Sequence, residues 1–260
     1  MLLLEDPLKN MCSVDYKTFK QISVDIPRTL PGMKLFAEEK VQLIMLRILF
    51  VWSSRHQNIG YVQGFNDLCT PFIAVFLSQY IDLDLSNLNF YDENNFHSIG
   101  QEELFEIEAD SYGCFCMMMN KIQNNYQNNQ PTLQKMVEKL EEITRLVDGE
   151  MIEYFDKQEI KFMQFSFRWM NCYLMREFDL KLIIRLWDTY FSEEDAFNNF
   201  HLFVCAGLLL SFSEDIKQLE FQELIIVLQN LPTGTWTTED IDVLLAKTYQ
   251  IQVLYGKAIK

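Results

Sequence analysis

Between Lys34 and His56 the apolar positions Val41, Ile44, Met45, Ile48, Leu49 and Trp52 recur at intervals of three and four, the rhythm of one face of an α-helix. Leu46, Phe50 and Val51 widen that stripe, so the helix is expected to be buried on most sides. A short turn from Gly60 to Gly64 leads into a second apolar helix over Asn66 to Tyr80, with Pro71 near enough to its start to be tolerated or to kink it. These two helices are predicted to form the centre of a first lobe. Residues 81–100 carry Asp82, Asp84, Asp92, Glu93 and several Asn, which bury little surface, and read as a surface loop.

Helical pattern resumes from Glu102 to about Gln127 despite Gly113 in its interior. The run from Cys116 to Met119 reads as adaptable core filling in preference to a metal site. Pro131 can open a helix to Val147 with Leu133, Met136, Val137, Leu140 and Ile143 on one face. Further helical segments are predicted at about 149–158, 160–177, 179–191, 195–212 and 219–230. A last one near 238–250 is introduced by Thr237, which can cap it with Asp240 three places on. No segment alternates with period two and no fixed-spacing repeat is visible, so the expected class is all-α and not a solenoid.

Composition narrows the functions. At 260 residues and 49% hydrophobic content the chain can bury a large core, and a formal net charge of −15 disfavours nucleic acid and anionic lipid surfaces as partners. Six scattered cysteines have neither zinc-site spacing nor the density of a disulfide framework, which points to a reducing, cytoplasmic compartment. Met1 to Leu4 is followed at once by Glu5 and Asp6, unlike a signal peptide, and no apolar run approaches the ~20 residues of a transmembrane segment. His56, His97 and His201 are far apart and form no metal motif, and no glycine-rich phosphate loop is present. Nucleotide chemistry, if any, is then performed on a partner's nucleotide.

Two segments stand out. In Ile22-Ser23-Val24-Asp25-Ile26-Pro27-Arg28, Pro27 is expected to hold Ile26 extended and leave Arg28 projecting from an irregular segment ahead of the long helix. The plainer reading is a local Asp25–Arg28 salt bridge at a helix entrance. In Gly60-Tyr61-Val62-Gln63-Gly64 two glycines bracket an exposed amide, which by itself reads more readily as a turn or cap residue.

Taken together, IxxDxxR, a strongly apolar helix and YxQG resemble the paired motifs of the TBC domain of Rab GTPase-activating proteins. Phe165 to Met170, Met175-Arg176-Glu177 and Arg185 to Tyr190 are similar to a further block of that family, and the similarity runs from about Tyr16 to about Tyr249. Asp25 to Arg28, Tyr61 to Leu68 and Leu228 to Thr233 resemble in particular the subfamily called TBC domain family member twenty-two. The Asn-rich stretch 81–100 and an N-terminal arm without a clear helix depart from the pattern.

The resemblance implies a two-lobed helical domain over 16–260, after an arm at 1–15, with a catalytic lobe at about 16–147 and a second lobe at about 148–260. It implies a GTPase activator that has no hydrolase activity of its own and no cofactor of its own, GTP and Mg being carried by a Rab-family partner. Arg28 corresponds to the arginine finger and Gln63 to the glutamine finger. Asp25 would hold Arg28, while Tyr61, Gly64 and Asn66 would shape the loop around Gln63. It further implies a role in vesicle trafficking, from the cytoplasm or at Golgi or endosomal membranes reached through a recruiting adaptor. Arg168, Arg176, Glu177, Arg185 and Asp188 could form a second catalytic cluster, but paired structural charges between helices are the preferred reading. A non-catalytic scaffold that binds a GTPase or adaptor is the alternative function.

Overall fold

The computed structural model describes residues 13–85, 91–127 and 130–258. Of the arm expected at 1–15, residues 1–12 lie outside these, and from Ser13 the chain is helical. The chain forms two compact units, Met1–Asn120 and Lys121–Lys260, and among the described residues both are built from helices and turns, with one isolated antiparallel bridge between Leu83 and Tyr91.

In the first unit the helices are α1 (Ser13–Asp25), α2 (Lys34–Ala37), α3 (Glu39–Arg55), α4 (Phe65–Leu77), α5 (Glu93–Ser98) and α6 (Gln101–Ile122). The six apolar positions of the α3 stripe, Val41, Ile44, Met45, Ile48, Leu49 and Trp52, are buried, whereas Leu46 and Phe50 are half-buried and Val51 is exposed, so the helix is covered on fewer sides than expected. Trp52, Phe65 and Phe115 meet edge to face with centroids 5.5 to 6.3 Å apart, so α3, α4 and α6 share one aromatic centre. Phe19 packs edge-on against Phe50, which fixes α1 along α3.

Pro71 lies inside α4 and has no N–H to offer the Asp67 carbonyl four residues back. The Thr70 hydroxyl donates to that carbonyl at 2.8 Å, so the buried acceptor keeps a partner. The Cys116–Met119 run is split: Met118 and Met119 are core, whereas Met117 is exposed.

The stretch 81–100 is not a loop throughout. Asp92 Oδ1 accepts from the backbone N–H groups of Asn94 and Asn95, which caps α5, and Phe96 is buried beneath it. The acidic composition that suggests a solvated loop is here, at Asp92, a helix-start signal.

The second unit holds α7 (Pro131–Val147), α8 (Gly149–Lys157), α9 (Phe167–Cys172), α10 (Leu180–Ser192), α11 (His201–Ser211), α12 (Ser213–Ile216), α13 (Phe221–Gln229) and α14 (Thr238–Tyr255). Asp240 Oδ2 accepts from both the N–H and the hydroxyl of Thr237, so α14 is capped as its sequence predicts. The helix expected at 160–177 is instead a 3₁₀ turn, the short α9 and a reversal in which Tyr173 and Leu174 have positive φ of 50° and 63°. A continuous helix would set Arg168 and Glu177 two and a half turns apart on opposite sides. The reversal instead lets Arg168 Nε and Nη2 both donate to Glu177 Oε1, at 2.9 and 2.6 Å, and Nη2 also reach the Gln229 carbonyl.

The start of the segment at 195–212 also differs, for Asp195 is left-handed and Ala196–Phe200 forms a π-helical turn ahead of α11. That turn precedes His201, whose side chain is fully buried. Its Nε2–H donates to the Trp169 carbonyl, and its Nδ1 accepts from the Tyr190 hydroxyl. Only a neutral ring can do both.

Burial pushes the His201 pKa down to about 3. The unfolded chain takes up a proton on this ring below about pH 6.5, and the folded chain does not, so stability present above that pH is lost as the solution is acidified toward 3. About 1 kcal/mol should disappear between pH 7.5 and 5.5 from this group. His201→Gln, which keeps one donor and one acceptor, should flatten that dependence in urea denaturation at the two pH values. An unchanged slope would assign the acid sensitivity to other groups.

Candidate functional site

The site is built where α1 ends. Ile22 and Ile26 are buried, so α1 holds its helical register to Asp25 and passes into a 3₁₀ turn over Ile26–Arg28. Ile26 is therefore not extended, as the proline after it suggests. Pro27 occupies the opening of the turn, where no backbone N–H is required, and the turn is closed by Thr29 N–H to the Ile26 carbonyl at 3.0 Å. The helical spacing of three residues brings Arg28 over Asp25, and Nη2 donates to Asp25 Oδ1. The salt bridge read from the sequence is present, at a helix exit and not an entrance. Its two members differ sharply: 57% of the Arg28 side chain is exposed against 3% for Asp25.

The second half comes from the segment between α3 and α4. Gly60 and Gly64 have φ of 70° and 108°, a region that strains any side-chain-bearing residue. Gly64 is also the residue from which α4 starts. The two reversals turn Tyr61 inward, where it is buried, and Gln63 outward, where it is exposed.

Hydrogen bonds join the two segments into a closed ring. The Tyr61 hydroxyl donates to Asp25 Oδ2 at 2.9 Å and lies 3.1 Å from Asn66 Oδ1. Asn66 Oδ1 accepts from Gly64 N–H at 3.1 Å, and Asn66 Nδ2 donates to Thr29 Oγ1 at 2.9 Å. The Thr29 hydroxyl in turn donates to the Asp25 carbonyl at 3.1 Å. Because a backbone N–H can only donate, Gly64 fixes which end of the Asn66 amide faces it. Burial first, and the neighbouring Asp25 charge second, push the Tyr61 pKa far up, so the hydroxyl keeps its proton and stays a donor.

Arg28 and Gln63, 35 positions apart, line one open groove of about 320 Å³ together with Asp25 and with Lys17, Lys20, Gln21 and Val24 of α1. All six sequence-predicted positions thus fall in one place: Arg28 and Gln63 on the groove, Asp25 at its base, and Tyr61, Gly64 and Asn66 in the ring beneath. Thr29 and the α1 residues were not predicted. The α1 residues had a signal, since 17, 20, 21, 24 and 28 follow helical spacing, but treating 22–28 as irregular hides it. Thr29 had none.

Residues 7–217 match the family described as the Rab-GTPase-TBC domain. The chain belongs to that family. It is similar to TBC1 domain family member 22B of Homo sapiens, 46% identical over 242 residues that make up 93% of this chain and 47% of the relative. GTPase-activating protein gyp1 of Schizosaccharomyces pombe is 42% identical over 249 residues, 94% of this chain and 47% of its own length. The chain thus spans about half the length of the curated relatives it matches. Among solved structures, the Ypt/Rab-GAP domain of Gyp1p superposes with a TM-score of 0.87 at 39% identity, covering 95% of this chain and 76% of that one. The Chlamydomonas flagellar RabGAP TBC domain, at 13% identity and a TM-score of 0.65, shares the fold.

In the second unit, three of the charges singled out by the sequence are paired. Arg168 holds the buried Glu177, whose carboxyl is shifted upward by burial against the pull of Arg168. Arg185 pairs with Asp242 of α14, not with Asp188, and also donates to Thr189. Among the described residues no cluster of three or more potential ligands could hold a metal ion, and no helix is long and apolar enough to cross a membrane.

Tyr61→Phe removes one hydroxyl and leaves a buried carboxylate oxygen without that donor. It should cost about 1–3 kcal/mol in chemical denaturation, more than a surface substitution does. A change below about 0.5 kcal/mol would mean the ring does not hold the loop.

Proposed function

We propose that this chain activates a Rab-type small GTPase, with Arg28 and Gln63 completing the partner's active site in trans. The observation that carries the reading is the shared groove: a guanidinium held at one edge by Asp25, and an exposed carboxamide, open to the same space. The relatives named GTPase-activating protein and the fold shared with Rab-GAP domains support it.

The bound nucleotide and its Mg are the partner's. In hydrolysis a water attacks the γ-phosphorus, the bond to the β-γ bridging oxygen breaks with its electrons leaving on GDP, and the water's proton ends on phosphate. Negative charge on the phosphate oxygens must be stabilised as this happens. Arg28 has five N–H donors, and among the described residues one of its nitrogens is engaged, by Asp25. The remaining fork is free to donate to phosphate oxygens, in a planar arrangement a lysine cannot copy. Gln63 would accept from the attacking water and donate to phosphate through the two ends of one neutral group. Asp25, Tyr61, Gly64 and Asn66 would position both. This work would be done in the cytoplasm, or at Golgi or endosomal membranes reached through the GTPase or a recruiting adaptor.

The test is phosphate release from a panel of GTP-loaded Rabs. Wild-type chain should accelerate at least one, and Arg28→Ala should remove about 10³-fold or more of that stimulation, equivalent to about 4 kcal/mol of barrier. Arg28→Ala should also cost about 1–3 kcal/mol of stability, as Tyr61→Phe does, because buried Asp25 Oδ1 loses its donor, but the chain should stay folded at the assay temperature. Tyr61→Phe losing as much stimulation as Arg28→Ala at equal stability would make Arg28 a structural residue. Binding without stimulation by the intact chain would establish a scaffold instead.

A further inference from the structure

The groove holds more than the two predicted side chains. Lys17 and Lys20 are exposed on α1, three residues apart, and with Gln21, Val24 and Arg28 they fall on one helical face continued into the 3₁₀ turn. The groove therefore has three cationic side chains around it. Among the described residues that line it the one carboxylate is Asp25, which is buried and bonded to Arg28 and Tyr61. This is opposite in sign to the molecule as a whole, whose formal charge is −15. Such a chain repels an anionic partner at long range, and only a local reversal of potential gives the approach a preferred orientation.

Resting on the proposed function, we infer that Lys17 and Lys20 form an electrostatic docking strip that draws the anionic, nucleotide-bearing face of the GTPase onto Arg28. The pair acts on encounter and not on the chemical step. Lysine suits this: its ammonium is a compact, strongly hydrated charge on a flexible stem, able to attract from a distance without having to fit one bidentate geometry. The field of two exposed ammonium groups reaches about 8 Å at physiological ionic strength, far enough to bias the final approach and short enough to be erased by salt. Arg28, anchored by a buried carboxylate, is the element whose position is fixed in advance. The occupant is a protein surface carrying a bound triphosphate, whose charge complements the strip. A free nucleotide would meet the same cations but bring no surface to bury.

The inference is tested on whichever GTPase the wild-type chain stimulates. Initial rates of phosphate release are measured against activator concentration at about 20 mM and about 500 mM salt. The double variant Lys17→Glu with Lys20→Glu should lose about 10–100-fold in kcat/KM at low salt, keep its maximal rate within about twofold, and approach wild type at high salt. Lys17→Met with Lys20→Met should show a smaller loss of the same kind, and carries the test if the reversed variant fails to fold. Unchanged kcat/KM and salt slope in both variants would overturn the inference while leaving the proposed function intact. A fall in maximal rate at constant KM would also overturn it, by placing the lysines in the chemistry. Wild-type chain that stimulates no GTPase would remove the function and this inference together.

Discussion

A carboxylate with almost no exposed surface governs the site. Asp25 is 2% exposed, and a charge in that position is expensive unless every oxygen is engaged. Arg28 takes one carboxylate oxygen, Tyr61 the other, and Thr29 the backbone carbonyl of the same residue. Satisfying one buried charge thus recruits groups from both sides of α3. The position of the glycine-bracketed loop follows from that requirement, through Asn66 and Gly64. The exposed side chains of the groove are held by what lies under them.

The arrangement separates two physical demands that usually conflict. A side chain meant to reach into a partner must be exposed and extended, yet an unanchored arginine loses considerable rotamer freedom when it is finally held. Anchoring one edge of the Arg28 guanidinium to a buried acceptor restricts it before any partner arrives. The cost of ordering is then carried by folding and not by association. For Gln63 it is the backbone that is set in advance, by the turns at Gly60 and Gly64 on either side of it.

Much of this was legible in the sequence, and the reasons differ by residue. The α3 stripe was readable because six apolar positions repeat a helical period over a long helix, and periodicity is the strongest local signal a chain gives. The ion pair and the exposed amide were readable as motifs, and the family resemblance joined them. The conformation before Pro27 was misread because a local preference was followed where burial of Ile22 and Ile26 against the helix behind them decides. Lys17 and Lys20 belong to the same helical face, which a local reading of residues 22–28 does not reach. The break after Cys172 was illegible for another reason: the left-handed residues there are Tyr and Leu, whose types do not announce a reversal. The reversal is accompanied by the Arg168–Glu177 pair and by the contact of Arg168 with the Gln229 carbonyl, 61 positions on, which no local window contains.

The hydrogen bonds of the ring all run one way. Gly64 donates to Asn66, Asn66 to Thr29, and Thr29, Tyr61 and Arg28 each donate to Asp25. Such a circuit has a sink: turning the Asn66 amide over would set two donors face to face at Gly64, and the Thr29 hydroxyl could meet the turned oxygen only by giving up the Asp25 carbonyl. Reversing the amide therefore forfeits at least the Gly64 hydrogen bond, so the loop's polar groups favour one arrangement over its reverse, and the groove inherits that handedness.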